Sequence, residues 1–352
     1  MPSRGITIDV EPTNRCNAKC HFCPRDKTPH QGLMRPEVFA QTLARVTELR
    51  DIAGTTLDSD FKISFCGLGE PLLNPKTPSF VRQVRDADLA CVMSSNAAML
   101  DEKRGRALLD AGLQQININV GDEGDDYEDV YKLPFERTRD NVLQFAEMAS
   151  DQCEVNIVIV DYRRDRDHVK HMVKYWQDHG LRDFMFFDVM NRGGALFVDE
   201  MEYESYPERA EARAMLESQG EVAICGIPFI SLFVGYDGQY YLCCSDWTKE
   251  TPMGSVFDAS FLSVTRRKLE YVTTREPVCK SCNWDPVNRL TDTLRAIKAG
   301  EATEADRDAQ VEDLIGTTRL VMNALNDAAP LIDAATPGNG ANGRKLIPVT
   351  SR

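Results

Sequence analysis

Three cysteines stand close together near the start of this 352-residue chain: Cys16, Cys20 and Cys23, in the run Glu-Pro-Thr-Asn-Arg-Cys-Asn-Ala-Lys-Cys-His-Phe-Cys. The Cys-x3-Cys-x2-Cys spacing supplies three thiolates, where most iron–sulfur and zinc sites use four. A [4Fe–4S] cube held by three cysteines leaves one iron free to bind a small molecule. A zinc ion on the same three thiolates would have an open fourth position, whereas structural zinc is normally closed by paired ligands.

A second constellation, Cys225, Cys243, Cys279 and Cys282, lies far along the chain. Twelve residues separate Cys225 from Gly238, four separate Gly238 from Cys243, and Cys279-x2-Cys282 follows a helical segment. Four thiolates of this kind can close a zinc site or bind a second cluster, and spacing alone leans to zinc. Cys244 directly follows Cys243, so one of the two is spare. It either packs on the far face of a hairpin or serves as a thiol that returns a hydrogen atom to a substrate radical. Cys66, Cys91 and Cys153 fall on strand-like runs and read as small buried apolar residues.

Eleven cysteines in a chain with no secretory signal argue for metal or redox chemistry in a reducing cytoplasm rather than a disulfide scaffold. No apolar stretch of about 18 residues suggests a membrane span. With 41 Lys and Arg against 55 Asp and Glu, the net charge of −14 disfavours a nucleic-acid binder and suits a neutral or cationic substrate.

These groups need a scaffold, and strand-type runs alternate with helical periodicity up to about residue 195. Strands are expected at Ile6–Val10, Lys62–Cys66, Ala90–Ser94, Gln115–Val120, Glu154–Val160 and Phe184–Val189. Helices are expected from Pro36, through Phe80–Val84, and over 101–111, 137–148 and 165–176. Such alternation makes a parallel sheet, either doubly wound or an open (β/α)6 barrel. Both place sites at the carboxyl ends of strands. There stand the cysteine triplet, then Cys66-Gly67-Leu68-Gly69-Glu70-Pro71, Ser94-Ser95-Asn96, an acidic loop from Asp122 to Asp129, Asp161, and Asn191-Arg192-Gly193-Gly194. The two glycines let backbone approach a ligand closely, and Glu70 beside them can hold an ammonium group.

Beyond residue 195 the pattern changes. Residues 197–222 read as helical, and Ile230–Val234 with Gln239–Cys243 reads as a hairpin turning on Asp237-Gly238. A helix is expected over 262–271, one or two acidic amphipathic helices over 287–333, and a flexible tail from residue 336.

The triplet with Phe22 just before Cys23, the Gly-Leu-Gly-Glu-Pro loop and Ser94-Ser95-Asn96 together resemble the radical S-adenosylmethionine enzymes over roughly residues 5–195. The resemblance implies a partial (β/α)6 TIM-like barrel, with S-adenosylmethionine on the unligated iron of the first [4Fe–4S] cluster. It also implies that Phe22 lies against the adenine, that Gly67, Gly69 and Glu70 hold the methionyl amine, and that Ser95 and Asn96 lie near the ribose or carboxylate. Leu68 stands where the family usually has a second glycine. The second cysteine set is similar to the shorter, "twitch" form of the SPASM extension. This implies one auxiliary [4Fe–4S] cluster on Cys225, Cys243, Cys279 and Cys282, which reverses the zinc preference.

The implied organisation is a core over 1–200, an auxiliary-cluster domain of hairpin and helix over 201–290, C-terminal helices over 291–335 and a tail over 336–352. The first strand starts near Ile6, which leaves no room in this chain for a domain that binds a leader peptide. Similar family members oxidise or epimerise cyclitols and aminoglycoside sugars. The expected activity is therefore oxidation of a carbinol on a cationic amino sugar or aminocyclitol of antibiotic type, with electron transfer to the auxiliary cluster. Arg192, Cys244 and Asp246 are its candidate catalytic residues, and an external one-electron reductant such as flavodoxin or ferredoxin is the expected partner. Epimerisation of an aminoglycoside or peptide, with Cys244 as hydrogen donor, is the alternative. An electron-transfer or structural zinc protein is the alternative outside enzymes.

Overall fold

In the computed structural model, which describes residues 5–28, 30–53, 61–197, 199, 201–220, 222–249, 252–275 and 277–336, strands and helices alternate through the first half of the chain. The strands are β1 (Ile6–Val10), β2 (Phe61–Phe65), β3 (Ala90–Ser95), β4 (Gln115–Asn119), β5 (Glu154–Asp161) and β6 (Asp183–Asp188). The helices between them are α1 (Pro36–Ala53), α2 (Thr77–Asp86), α3 (Glu102–Asp110), α4 (Gly124–Tyr131), α5 (Phe135–Ala149) and α6 (Arg166–Asp178). Asp101 and Asp165 start α3 and α6 by accepting first-turn amides with their carboxylates.

All six strands are parallel and stand in the order β6-β5-β4-β3-β2-β1. Each crossover therefore steps to the next strand in one direction. A doubly wound sheet would reverse that order, so the open-barrel expectation holds. The pleat agrees. Ile8 and Val10 of β1, and Ile116 and Ile118 of β4, are fully buried against the helices. Asp9, Gln115, Asn117 and Asn119 alternate with them and face the other way. Strands covered by helices on both faces would be apolar on both. Here the inner face is polar and cross-linked, with Asn156 Nδ2 donating to Asn117 Oδ1 at 3.3 Å and Gln115 Nε2 to the same oxygen at 2.9 Å. On the outer face Phe39 stacks on Phe80 with centroids 4.3 Å apart, and Trp176 is fully buried with its indole N–H on Val120 O at 3.1 Å. Burial of a side chain of this size contributes about 3 kcal/mol.

Among the described residues of the charged stretch 197–222 there is a short 3-10 turn, Tyr203–Ser205, and one helix, α7 (Glu208–Glu217). A one-turn helix, α8 (Ile227–Ile230), precedes β7 (Ser231–Val234), β8 (Gln239–Tyr241) and β9 (Gly254–Ser255). The expected hairpin forms, but it continues the core sheet. β7 runs parallel to β1, with Thr7–Val10 opposite Ser231–Val234, and β8 and β9 add antiparallel edges. The turn needs Gly238 at φ +78, where a Cβ would also lie 2.9 Å from Val38. The chain continues through α9 (Thr265–Thr274), α10 (Pro277–Ser281), α11 (Pro286–Ala299), α12 (Glu304–Asp327) and α13 (Ala329–Ala335). A second small core, including Leu216, Leu290, Leu294 and Ile315, joins α7, α11 and α12. The tail expected beyond Thr336 lies outside the described residues. Among the described residues, no helix is long and apolar enough to cross a membrane.

Candidate functional site

The first cysteine loop leaves β1 and is fastened from several directions. Asn14 donates to His30 O at 2.6 Å, and Asn74 donates to Pro12 O at 2.9 Å and to Met34 O at 3.0 Å. The amides of Lys19 and His21 donate to the carbonyls of Tyr131 and Val130 at the end of α4. Cys16, Cys20 and Cys23 carry free thiols, and each of Cys16 and Cys20 feels the charge of the neighbouring cysteines. Burial pushes the Cys16 thiol up to about 11 and raises those of Cys20 and Cys23. Arg192 and Arg25 oppose that rise at Cys23. Buried thiols of this kind become thiolates when a metal centre supplies the positive charge. Three soft donors on one loop fit an iron–sulfur cluster. Among the described residues, no three His, Cys, Asp or Glu side chains are grouped as the shell of a single ion.

Phe22 is buried, stacked on Tyr162 at 5.3 Å and edge-on to Tyr131 at 5.6 Å. A Cβ on Gly69 would lie 2.0 Å from Thr13 O, so that glycine admits the close approach of the cysteine loop's backbone. Glu70 is 1% exposed, and its carboxylate accepts from Leu72 N at 3.1 Å, Ser95 Oγ at 3.0 Å and Asn96 N at 2.8 Å. These bonds brace the loop against the end of β3. Burial pushes Glu70 up to about 6, against the pull of those donors. Asn96 completes the join, with Nδ2 donating to Cys16 Sγ at 3.7 Å and to Asn17 at 3.0 Å.

The second set assembles from three segments. Cys243 lies within electrostatic reach of Cys225, Cys279 and Cys282. Burial pushes Cys225 up to about 12 and Cys282 up to about 11, and Cys282 accepts amide hydrogen bonds from Trp284 and Gly193. This set also fits a buried cluster that would hold all four as thiolates. Cys244 feels Arg192 and Asp9, on the barrel side. Lys268, which the sequence reading missed, is buried on α9 and donates to Pro228 O at 3.3 Å. Burial lowers its ammonium to about 8, opposed by Cys243, Asp246 and Asp9.

Arg192 lies close enough to Cys23 of the first set and to Cys244 to oppose the burial-driven rise of both thiols, and the amide of the next residue, Gly193, donates to Cys282 of the second set. The Arg192 backbone is left-handed at φ +50, and its buried Nε has no hydrogen-bond partner. Backbone strain of this sort persists only where the surroundings impose it. Here a reciprocal amide clasp imposes it. Asn191 N donates to Asn283 Oδ1 at 3.0 Å, and Asn283 N donates to Asn191 Oδ1 at 3.1 Å. The sequence reading missed this clasp. Next to it, a Cβ on Gly193 would lie 2.9 Å from Val278. A cavity of about 660 Å³ opens among Gly193, Asp246, Trp247, Arg267 and Glu270. Asp246 lines it, yet its carboxylate is engaged by the amides of Leu242 and Lys249 and by the Thr248 hydroxyl. Asp246 thereby organises its own loop.

The acidic run is not a loop. Residues from Gly124 form α4, and Asp122 is buried, paired with Arg163 at 2.8 Å and His168 at 3.0 Å. The reason is the burial of Tyr127, Val130 and Tyr131 on one face of that helix.

Comparison with known proteins gives a consistent picture. A model of the radical SAM superfamily matches residues 10–185, half of the chain, and a model of the SPASM iron–sulfur cluster-binding domain matches residues 225–283. The GTP 3',8-cyclase of Staphylococcus saprophyticus is 26% identical over 249 residues, which cover 68% of each chain. That of Chlorobaculum tepidum is 31% identical over 33% of this chain and 34% of its own. Among solved structures, native anSMEcpe with bound AdoMet and Cp18Cys peptide is 16% identical (92% and 99% coverage, TM-score 0.55). BtrN in complex with AdoMet and 2-DOIA is 18% identical (80% and 94%, TM-score 0.51). At these identities the two structures speak to the fold.

Proposed function

This chain belongs to the radical SAM superfamily and carries a SPASM cluster-binding region, and we propose that it is the family's kind of dehydrogenase, acting on a carbinol of an amine-bearing sugar or cyclitol. The observation that carries the reading is Arg192, a cation with an unpartnered buried donor placed close to Cys23 of the first set and to Cys244. Cys16, Cys20 and Cys23 would hold the first cluster and Cys225, Cys243, Cys279 and Cys282 the second. When bound, the first with S-adenosylmethionine supplies a 5′-deoxyadenosyl radical that takes a hydrogen atom, and the second supplies an acceptor for one electron. Loss of that hydrogen atom, one electron and the hydroxyl proton converts CH–OH to C=O, and the balance closes.

The chain's own groups supply position and charge. Arg192 offers its Nε–H to the substrate oxygen and favours its deprotonation by stabilising negative charge there. Glu270, which lines the cavity together with Gly193, suits a substrate ammonium. The GTP 3',8-cyclase relatives are named for a polyanion, but this cavity sets Asp246 and Glu270 against Arg267, in a chain of net charge −14. That balance favours a cation. A second reading, epimerisation, draws on Cys244. Its thiol, kept protonated by burial beside Arg192, could return a hydrogen atom to a substrate radical.

The test is mass spectrometry of reactions in heavy water, with reductant, S-adenosylmethionine and aminocyclitol or aminoglycoside candidates. Loss of two mass units from the substrate is expected. One deuterium gained without oxidation would replace this reading by epimerisation, and turnover of GTP alone would overturn both.

A further inference from the structure

Glu11 directly follows β1, and its side chain is fully buried. Its two oxygens face two different loops. Oε1 accepts the amide N–H of Leu68 at 3.0 Å, and Oε2 pairs with the ammonium of Lys249. The Lys249 side chain is only 7% exposed. Its nitrogen lies 5.2 Å from the ring centroids of both Phe233 and Tyr241 and 6.0 Å from that of Tyr236, so three ring faces and one carboxylate surround one cation. Its backbone is left-handed at φ +55, and its amide donates to Asp246, two residues past Cys244. The other loop is fitted to the same carboxylate. Gly67 has φ +129, and a Cβ there would lie 2.7 Å from both Cγ and Oε1 of Glu11. A buried charge is tolerated only with its partner, so neither loop can shift alone without stranding the other's charge or donor.

We propose that Glu11 and Lys249 are positioning residues: a buried ionic joint through which the loop following Cys243 of the second cysteine set holds the Gly67–Glu70 loop in place. The role for the joint rests on the reading of Gly67–Glu70 as part of the S-adenosylmethionine site. Through it, the two halves of the active centre keep their relative placement.

The test uses the cluster-loaded enzyme without substrate. Lys249→Met keeps the length of the side chain and removes the charge. Amide exchange should accelerate at least ten-fold over residues 66–72, around the Leu68 amide, as well as over 242–249. The affinity for S-adenosylmethionine, read by equilibrium dialysis, should weaken about ten-fold, whereas Lys249→Arg should keep both within two-fold. Faster exchange confined to 242–249, in protein of normal iron content, overturns the joint. Faster exchange over 66–72 with unaltered cofactor affinity supports the joint and overturns the cofactor reading of that loop. Should Lys249→Met fail to accumulate, Lys249→Gln, uncharged but still a donor, is measured the same way, with exchange over 66–72 raised if the joint holds and at the wild-type rate if it does not. No substrate is present, so a failure of the dehydrogenase assignment leaves these outcomes untouched.

Discussion

The two cysteine sets are built in opposite ways. Cys16, Cys20 and Cys23 occupy one loop, held by the side chains of Asn14 and Asn74 and by the backbone carbonyls of the last turn of α4. Cys225, Cys243, Cys279 and Cys282 come from three segments, drawn together by the pairing of β7 with β1 and by the clasp between Asn191 and Asn283. Both sets are wholly or partly buried and both have raised thiols, so both depend on a metal centre for their charge. The difference is in what breaks them. The first set has a local frame, whereas the second has the whole sheet and the end of β6 as its frame.

The sharpest way to break that contrast is at the first set. Cys20→Ala should abolish 5′-deoxyadenosine formation while iron held by the second set remains, as checked by chromatography and iron analysis. Next in size is Arg192→Met. Removing a charge-assisted donor worth about 3 kcal/mol should lower the rate of product formation about 100-fold, with 5′-deoxyadenosine still released. Asn283→Ala strands Asn191 and should lower unfolding free energy by about 2–3 kcal/mol in denaturant titration. Iron should fall toward half, because only the second set loses its frame.

Glu70 separates the two sets by pH. Its carboxyl lies at about 6 in the fold against an ordinary 4.5, so the folded chain binds that proton more tightly than the unfolded chain. The stabilisation is complete below pH 4.5 and is lost as pH rises through 6, in all about 2 kcal/mol. Glu70→Gln cannot titrate. Relative to wild type it should gain that amount between pH 4.5 and pH 7 in urea unfolding. The smallest effect belongs to Cys244→Ser, which should change oxidation less than about three-fold, under 1 kcal/mol. A stall after hydrogen abstraction would turn the second region from an electron acceptor into a hydrogen donor.

Much of this was legible in sequence where the causes are local. The ends of β1 to β6 fall within a residue or so of the alternating runs, and the triplet and its loop are contiguous. The choice between doubly wound sheet and open barrel was left open by periodicity and came from the family resemblance; the polar alternates of β1 and β4 become informative once their inward face is seen. The run from Asp122 was misread because its charge hides the spacing of Tyr127, Val130 and Tyr131, which buries one face of α4. The role of Glu70 was half legible: its place in the loop was, its partners on β3 were not. Asn191 with Asn283, 92 residues apart, and Glu11 with Lys249, 238 residues apart, leave no spacing to read. Both pairs join the core to the second set, across the boundary that the sequence reading placed near residue 200, where the sheet also continues from β1 to β7.

On the proposed function, a radical made at the first set is turned into an oxidised product by the second. The most direct measurement is the ratio of oxidised product to 5′-deoxyadenosine in the Cys279→Ala, Cys282→Ala double variant. The expected result is a ratio near one in the wild type and a fall of at least twenty-fold in the variant, with 5′-deoxyadenosine still formed. A variant that lacks the second cluster and keeps the wild-type ratio would contradict the account.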